Sequence, residues 1–386
     1  MSDLLAISGA RIFDGQSWHD DAALLAEFGY VTGISRVDAV PDKARRVVLD
    51  GGMIVPGFVD LQVNGGGGVL FNNDPSLDGI RTICAAHAQF GTTALLPTLI
   101  TDTVEVNVAA IAAGAAAYHE RVPGFIGLHL EGPHLAVSRK GTHDPALIRP
   151  MDDADLARII AAKDLLPNLI CTVAAETVTP AQIAALAAVG IVVSIGHSDA
   201  SYDVASRAFD SGATMATHLF NAMSQLGNRE PGVTGAVLDR PAVFAGLIAD
   251  GIHVHPATIG SALRAKRGPG RIFLVTDAMS QTGTDLTSFT LNGRTITRSD
   301  GALRTADGTL AGADLDMIDA VNFMVDRIGL DLDEAIRMAS LYPAEAMGMA
   351  SSHGHLMANA SASFVHLSAD RQVRATWIDG VEVFRA

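Results

Sequence analysis

The 386-residue chain contains no stretch approaching ~18 uninterrupted apolar residues, so no segment is expected to span a membrane. It has only two cysteines, Cys84 and Cys171, both inside apolar stretches and without metal-type spacing. They read as small buried hydrophobes in a reducing compartment, which sets aside a disulfide framework or a cysteine metal site. Positive charge is in short supply: 27 Lys and Arg stand against 42 Asp and Glu, a formal net charge of −15. That balance argues against nucleic acid or an anionic membrane as the main partner, although a single pocket can still be locally positive. The opening residues, MSDLLAISGARIF, lack a basic segment and meet Asp3 and Arg11 almost at once. No secretory signal is expected there, and a cytoplasmic location is. Repeats, low-complexity linkers and charge blocks are also missing.

What the chain does have is a series of short β-rich apolar runs separated by longer helical stretches. The runs are FVDLQV (58–63), TTALLPTL (92–99), FIGLHL (125–130), ICTVAA (170–175), IVVSIG (191–196), ATMAT (213–217), FAGLIA (244–249) and IFLVT (272–276). Near-continuous apolar runs of this length suit strands buried on both faces, as in a parallel sheet. Helical segments such as PAQIAALAAVG and ASYDVASRAFDSG lie between them, the first opening on Pro and both closing on Gly. Eight such units favour a (β/α)8 TIM-like barrel over an open doubly wound sheet. Both ends of the chain alternate like antiparallel strands, the C-terminal part with a turn at Asp379-Gly380. The expected organisation is a small β-sandwich domain from 1–52 and 352–386 and a barrel from 53–351.

Polar residues follow the strand candidates. FIGLHL runs into Glu131, IVVSIG into His197, ATMAT into His218, FAGLIA into Asp250 and IFLVT into Asp277. The C-terminal strand ends of an α/β barrel form its active site, so these residues are expected to converge on one mouth. Glu131, His197 and His218 make a carboxylate-plus-two-imidazole set suited to Zn2+ or a similar first-row cation, with a coordination position left open for hydrolysis. Asp277 is placed to be the general base. Taken singly, each has an ordinary alternative: a structural histidine, a capping carboxylate, a surface residue. Five at equivalent positions favour function. Asp250 is expected only to orient its loop. Among the loop histidines, His143 and His253 are better placed for substrate contacts than His255, and His87 and His119 fall on helices as packing or surface residues. The glycine run 65–68 suits either an anion cradle or a tight turn.

At these residues the chain resembles the N-acetylglucosamine-6-phosphate deacetylase family of the amidohydrolase superfamily. The matching segments are PGFVDLQVNGGGG (56–68), HLEGPHL (129–135), KGTHDP (140–145), GHSDA (196–200), THLFNAM (217–223), REPGVTGAVLD (229–239), ADGIHVH (249–255) and VTDAM (275–279), in order along most of the chain. The resemblance implies metal ligation by Glu131, His197 and His218, catalysis by Asp277, and engagement of the acetyl carbonyl by His143. It implies phosphate and sugar contacts at Asn221, Ala222, Arg229 and His253, with Arg229 reaching the site from a second subunit of a homodimer. From the residues alone, a surface arginine paired with Glu230 is the slightly favoured reading of Arg229; the resemblance reverses it. The reaction implied is hydrolysis of N-acetyl-D-glucosamine 6-phosphate to D-glucosamine 6-phosphate and acetate. The alternatives are the N-acetyl-D-galactosamine epimer or another N-acyl amino-sugar phosphate and, from a different class, a catalytically silent assembly module.

Two departures matter. Where many superfamily relatives carry His-x-His after the first barrel strand, this chain has Gln62 and Asn64, whose neutral amides are poor ligands. One divalent ion per subunit is therefore expected, Zn2+ first with Fe2+ or Co2+ as alternatives. Near the C-terminus, ANASASF (358–364) replaces a Gly-x-x-Ala-Asp pattern, a change expected to alter a turn.

Overall fold

A computed structural model describes residues 4–386. Eight parallel strands, Phe58–Val63, Thr92–Ile100, Leu128–Glu131, Leu169–Val173, Val192–Ile195, Met215–Ala216, Phe244–Leu247 and Ile272–Leu274, pair in chain order. A bridge between Val63 and Ala278, with Asp277 N–H donating to the Gln62 carbonyl, joins the last strand to the first. The result is a nearly closed TIM-like barrel. Its strands are buried on both faces, which is why they are continuous apolar runs. Most helices between them start on side-chain caps, Gly232–Asp239 being an exception, and Thr179 with Gln182 forms a full capping box ahead of Pro180–Ala188.

The termini build a separate β unit. One sheet holds Leu5–Ser8, Ala22–Glu27, Tyr30–Arg36 and Arg45–Val48; a six-stranded sheet combines three N-terminal strands, the last being Met53–Pro56, with Phe364–Leu367, Val373–Ile378 and Val381–Arg385. Leu5, Ile7, Leu24, Phe364 and Trp377 share the core between the two sheets, with the Phe364 and Trp377 rings stacked at 4.8 Å. The turn at Asp379-Gly380 is a two-residue hairpin with both residues at positive φ, linking the paired Ile378 and Val381.

A further four-stranded sheet has no counterpart among the expectations from sequence. After the eighth strand the chain forms an antiparallel excursion, Ser288–Leu291, Arg294–Ser299, Ala302–Arg304 and Leu310–Ala313. Leu291, Ile296, Leu303 and Ala311 pack with Leu70, Ile100 and Met279 at the barrel mouth. Its last strand passes close to the mouth at Gly312 (φ +67°), where a Cβ would stand 2.8 Å from the Asp277 carbonyl and 2.5 Å from the Met279 side chain. Among the described residues no helix is long and apolar enough to cross a membrane.

Candidate active site

At the mouth of the barrel, His197, His218 and Asp277 each follow a strand with a left-handed backbone, at φ 47°, 32° and 51°. For residues with a Cβ this conformation costs on the order of 1–3 kcal/mol and persists only where the surroundings enforce it. Here it breaks the strand ladder and turns each side chain inward. Phe220 and Ala222 share it, in the turn that follows His218.

The donor atoms meet closely. His197 Nε2 and His218 Nε2 each lie 3.2 Å from Glu131 Oε1 and 3.1 Å from one another. All three residues are buried. His197 Nδ1 donates to the Arg139 carbonyl at 2.7 Å, so in the neutral ring the lone pair is on Nε2 and points at the cluster. Two nitrogen lone pairs and a carboxylate converging at this spacing repel unless a positive charge lies among them. The donor set, its spacing and its burial fit a divalent cation. The electrostatics agree: burial alone would push Glu131 up, yet the His197 and His218 imidazoles hold it well below the usual carboxylate range. Burial likewise opposes protonation of His218, and the Glu131 carboxylate outweighs it.

His143 is also within reach of Glu131 and His197, the ligand atoms of the three lying within 4.8 Å of one another. Its ring stands 4.3 Å from that of His197. Its bonding gives it a different character. His143 Nδ1 accepts the Thr101 backbone N–H at 3.3 Å and lies 2.8 Å from the Thr101 hydroxyl. Burial, then the neighbouring His197 imidazole, holds the ring well below the usual histidine range. A neutral ring with Nδ1 accepting carries its proton on Nε2, which makes His143 a hydrogen-bond donor and a poor third imidazole ligand.

Asp277 is bound by the two amides that replace the superfamily's histidines. Asn64 Nδ2 donates to Asp277 Oδ1 at 2.6 Å and Gln62 Nε2 to the same oxygen at 3.1 Å, while Gln62 Nε2 also lies 3.3 Å from Glu131 Oε2. Burial and the Glu131 charge push Asp277 up to about 6. One layer deeper, Asp60 is fully buried, accepts the Thr276 hydroxyl at 2.6 Å, and is pushed by burial up to about 7. It ties the first strand to the eighth below the site. Neither role is visible in the sequence, where an amide in place of a histidine signals only a lost ligand and Asp60 sits within an apolar strand.

A cavity of about 340 Å³ opens above this cluster, lined by Glu131, His143, His197, His218, Asn221, Ala222, His253 and Asp277. Asp250 orients His253: its carboxylate accepts His253 Nδ1–H at 2.6 Å and the backbone N–H groups of Ile252 and His253. Asn221 lines the cavity with its backbone N–H taken by the His218 carbonyl and its Nδ2 donating to the Leu219 carbonyl at 3.4 Å. His255 caps the helix Pro256–Ala265, and buried His87 bonds the Gly65 carbonyl; both are structural. The 65–68 run is a tight turn, since Gly65, Gly67 and Gly68 all direct their N–H groups to backbone carbonyls. Arg229 is exposed and does not line its own chain's cavity. Glu230 is not its partner; that carboxylate accepts the N–H groups of Tyr202 and Gly232.

A barrel with a Glu/His/His set able to hold a divalent metal, and an aspartate after its eighth strand, defines a class of hydrolases, and residues 53–383 match the model of the amidohydrolase family. The chain belongs to that family and is a catalytic amidohydrolase. Within it, the chain is closely related to the N-acetylhexosamine-6-phosphate deacetylases. It is 41% identical over 386 residues to N-acetylgalactosamine-6-phosphate deacetylase of Shewanella sp. (strain ANA-3), covering 99% of this chain and 97% of the relative. It is 34% identical to N-acetylglucosamine-6-phosphate deacetylase of Haemophilus influenzae, covering 92% and 95%. The crystal structure of N-acetylglucosamine-6-phosphate deacetylase from Pasteurella multocida superposes with a TM-score of 0.93 at 35% identity, covering 98% of each chain.

Proposed function

We propose that this amidohydrolase removes the acetyl group from an N-acetyl amino-sugar 6-phosphate, with the galactosamine epimer as its preferred substrate. The observation that carries the reaction is the triangle of Glu131, His197 and His218 donor atoms beside a separately held Asp277 and a donor-type His143. Glu131, His197 and His218 would hold a divalent cation, which would supply an acidified water (pKa ~7) and a Lewis acid for the carbonyl. Asp277 takes the proton from the attacking water and returns it to the leaving nitrogen, so that the C–N bond breaks to acetate and a free amine. His143 donates from Nε2 to the carbonyl oxygen as negative charge develops there. His253, fixed by Asp250, together with Asn221 and Ala222, binds the sugar phosphate.

The choice of epimer departs from the order the motifs suggest. They resemble the glucosamine enzymes, yet identity to the Shewanella galactosamine enzyme is higher and extends over nearly the whole chain. One cation per subunit is proposed, Zn2+ first and Fe2+ or Co2+ next, because Gln62 and Asn64 are already engaged with Asp277. The exposure of Arg229 outside its own cavity supports a homodimer in which it completes the neighbour's phosphate site. A silent assembly module has no use for a complete ligand, base and donor set.

The test is acetate release from both 6-phosphate epimers after reconstitution with defined metals. Higher kcat/KM for the galacto sugar is expected. A clear gluco preference reverses the epimer, and turnover of neither removes the reading. Metal analysis finding two tightly held ions per chain would contradict the single site.

A further inference from the structure

The cavity has one wall that the barrel does not supply. Thr309, Leu310 and Gly312 belong to the excursion after the eighth strand, and they line the cavity with the metal cluster. The same excursion reaches the loop that carries His143. Arg294, half-buried, donates Nη2–H to the Thr142 carbonyl, and among the described residues this is the guanidinium's one hydrogen bond and it has no ion pair.

We infer that Arg294 is a positioning residue that sets His143 through the Thr142 carbonyl. This rests on the reading of His143 as the donor to the substrate carbonyl.

The loop 139–143 is pinned at its two ends. At one, the Arg139 carbonyl accepts His197 Nδ1–H; at the other, the His143 ring is bonded to Thr101. Between them Gly141 turns at φ 54°, and among the described residues no other donor reaches the Thr142 carbonyl. That carbonyl shares a planar peptide with the His143 N–H, which donates to the Lys140 carbonyl at 2.9 Å, so Arg294 holds the second edge of the plane and with it the direction in which the His143 Cα leaves the peptide. The arm that holds it is stiff. Leu291 pairs with Arg294 across a two-residue turn at Asn292 and Gly293, both at positive φ, as a tight hairpin requires. Leu291 and Ile296 on either side are fully buried against the barrel mouth, and Asn73 Nδ2 donates to the Thr290 carbonyl at 2.9 Å. A charged donor on a rigid hairpin is a precise way to place a backbone atom, and a guanidinium strengthens the bond.

Arg294→Ala, Arg294→Lys, His143→Asn and the double variant R294A/H143N test this by steady-state kinetics and metal analysis. R294A should lower kcat by about 10–50-fold with KM within about threefold, as expected when a reacting group is displaced without loss of binding. Metal content should stay at the wild-type value. R294K should recover part of the loss, and added guanidinium should raise the kcat of R294A. In the H143N background, removing Arg294 should cost nothing further, because both changes act at one atom. Unchanged kcat in R294A overturns the inference. So does an undiminished Arg294 effect in the H143N background, or a parallel loss of metal from R294A and R294K. Wild-type activity in H143N alone removes instead the reading of His143 on which the inference rests.

Discussion

Asn64 holds Asp277 by one carboxylate oxygen, Nδ2 to Oδ1 at 2.6 Å, and Gln62 reaches the same atom at 3.1 Å. Among the described residues no donor reaches Oδ2, which is the oxygen free to accept a proton in the proposed reaction. The amides that stand where relatives carry metal-binding histidines therefore hold Asp277, the proposed base. Asn64→Leu keeps the volume and removes the donor. It should lower kcat by about tenfold or more with KM little changed, since a charge-assisted bond to a buried carboxylate is lost. Metal content per chain, measured in parallel, should not fall.

Asp277→Asn tests the base itself. Asparagine can still accept from Asn64 and Gln62 through its carbonyl, so the local packing survives. It cannot take a proton at neutral pH, and kcat should fall by about 10²–10⁴-fold. Bound metal should stay near the wild-type value, because the donor triangle of Glu131, His197 and His218 does not include Asp277. Unchanged turnover would remove Asp277 from the mechanism.

The barrel and its strand-end residues are legible in the sequence for a physical reason. A strand buried on both faces is near-continuously apolar, so an ionisable residue at its C-terminal end, whether Glu131, His197 or Asp277, marks the point where the chain reaches the mouth. The excursion sheet escapes that signal because its strands are short and partly exposed, with alternation too brief to count. Its turns are nonetheless written in the chain as Asn292-Gly293, Asp300-Gly301 and Asp307-Gly308. The left-handed backbone of His197, His218 and Asp277 leaves no trace in residue type, since only the folded mouth enforces it. The same holds for the Asn64–Asp277 bond, which joins residues 213 positions apart.

Arg229 offers a test of assembly that needs no structure of the dimer. Arg229→Ala and Asp277→Asn chains should each be nearly inactive alone. If Arg229 serves the neighbouring site, a mixed dimer contains one site with both Asp277 and an intact arginine. Unfolding and refolding the two variants together at equal amounts should then restore about a quarter of wild-type activity, half the dimers being mixed and half their sites intact. If Arg229 acts within its own chain, every site carries one lesion and mixing restores nothing.

Away from the chemistry, Asp316 ties stability to pH. It caps the helix Met317–Phe323, accepting the Asp319 N–H at 2.9 Å. Burial, then the negative charges of Asp319 and Asp314, pushes it up to about 7. A carboxyl raised in the folded state favours folding when protonated. Its contribution is complete below its unfolded value near ~3.8 and is lost as pH rises towards 7. Asp316 keeps some exposure to solvent, so the loss should be modest, about 1–2 kcal/mol. An asparagine at this position would cap the helix equally well and carry no charge at any pH. Asp316→Asn should therefore raise Tm at pH 8 by about 2–4 °C. At pH 4, close to the unfolded value, where little of the contribution has yet been lost, the two proteins should melt nearly together. A difference of the same size at both pH values would show that the gain comes from packing or capping and that Asp316 titrates normally.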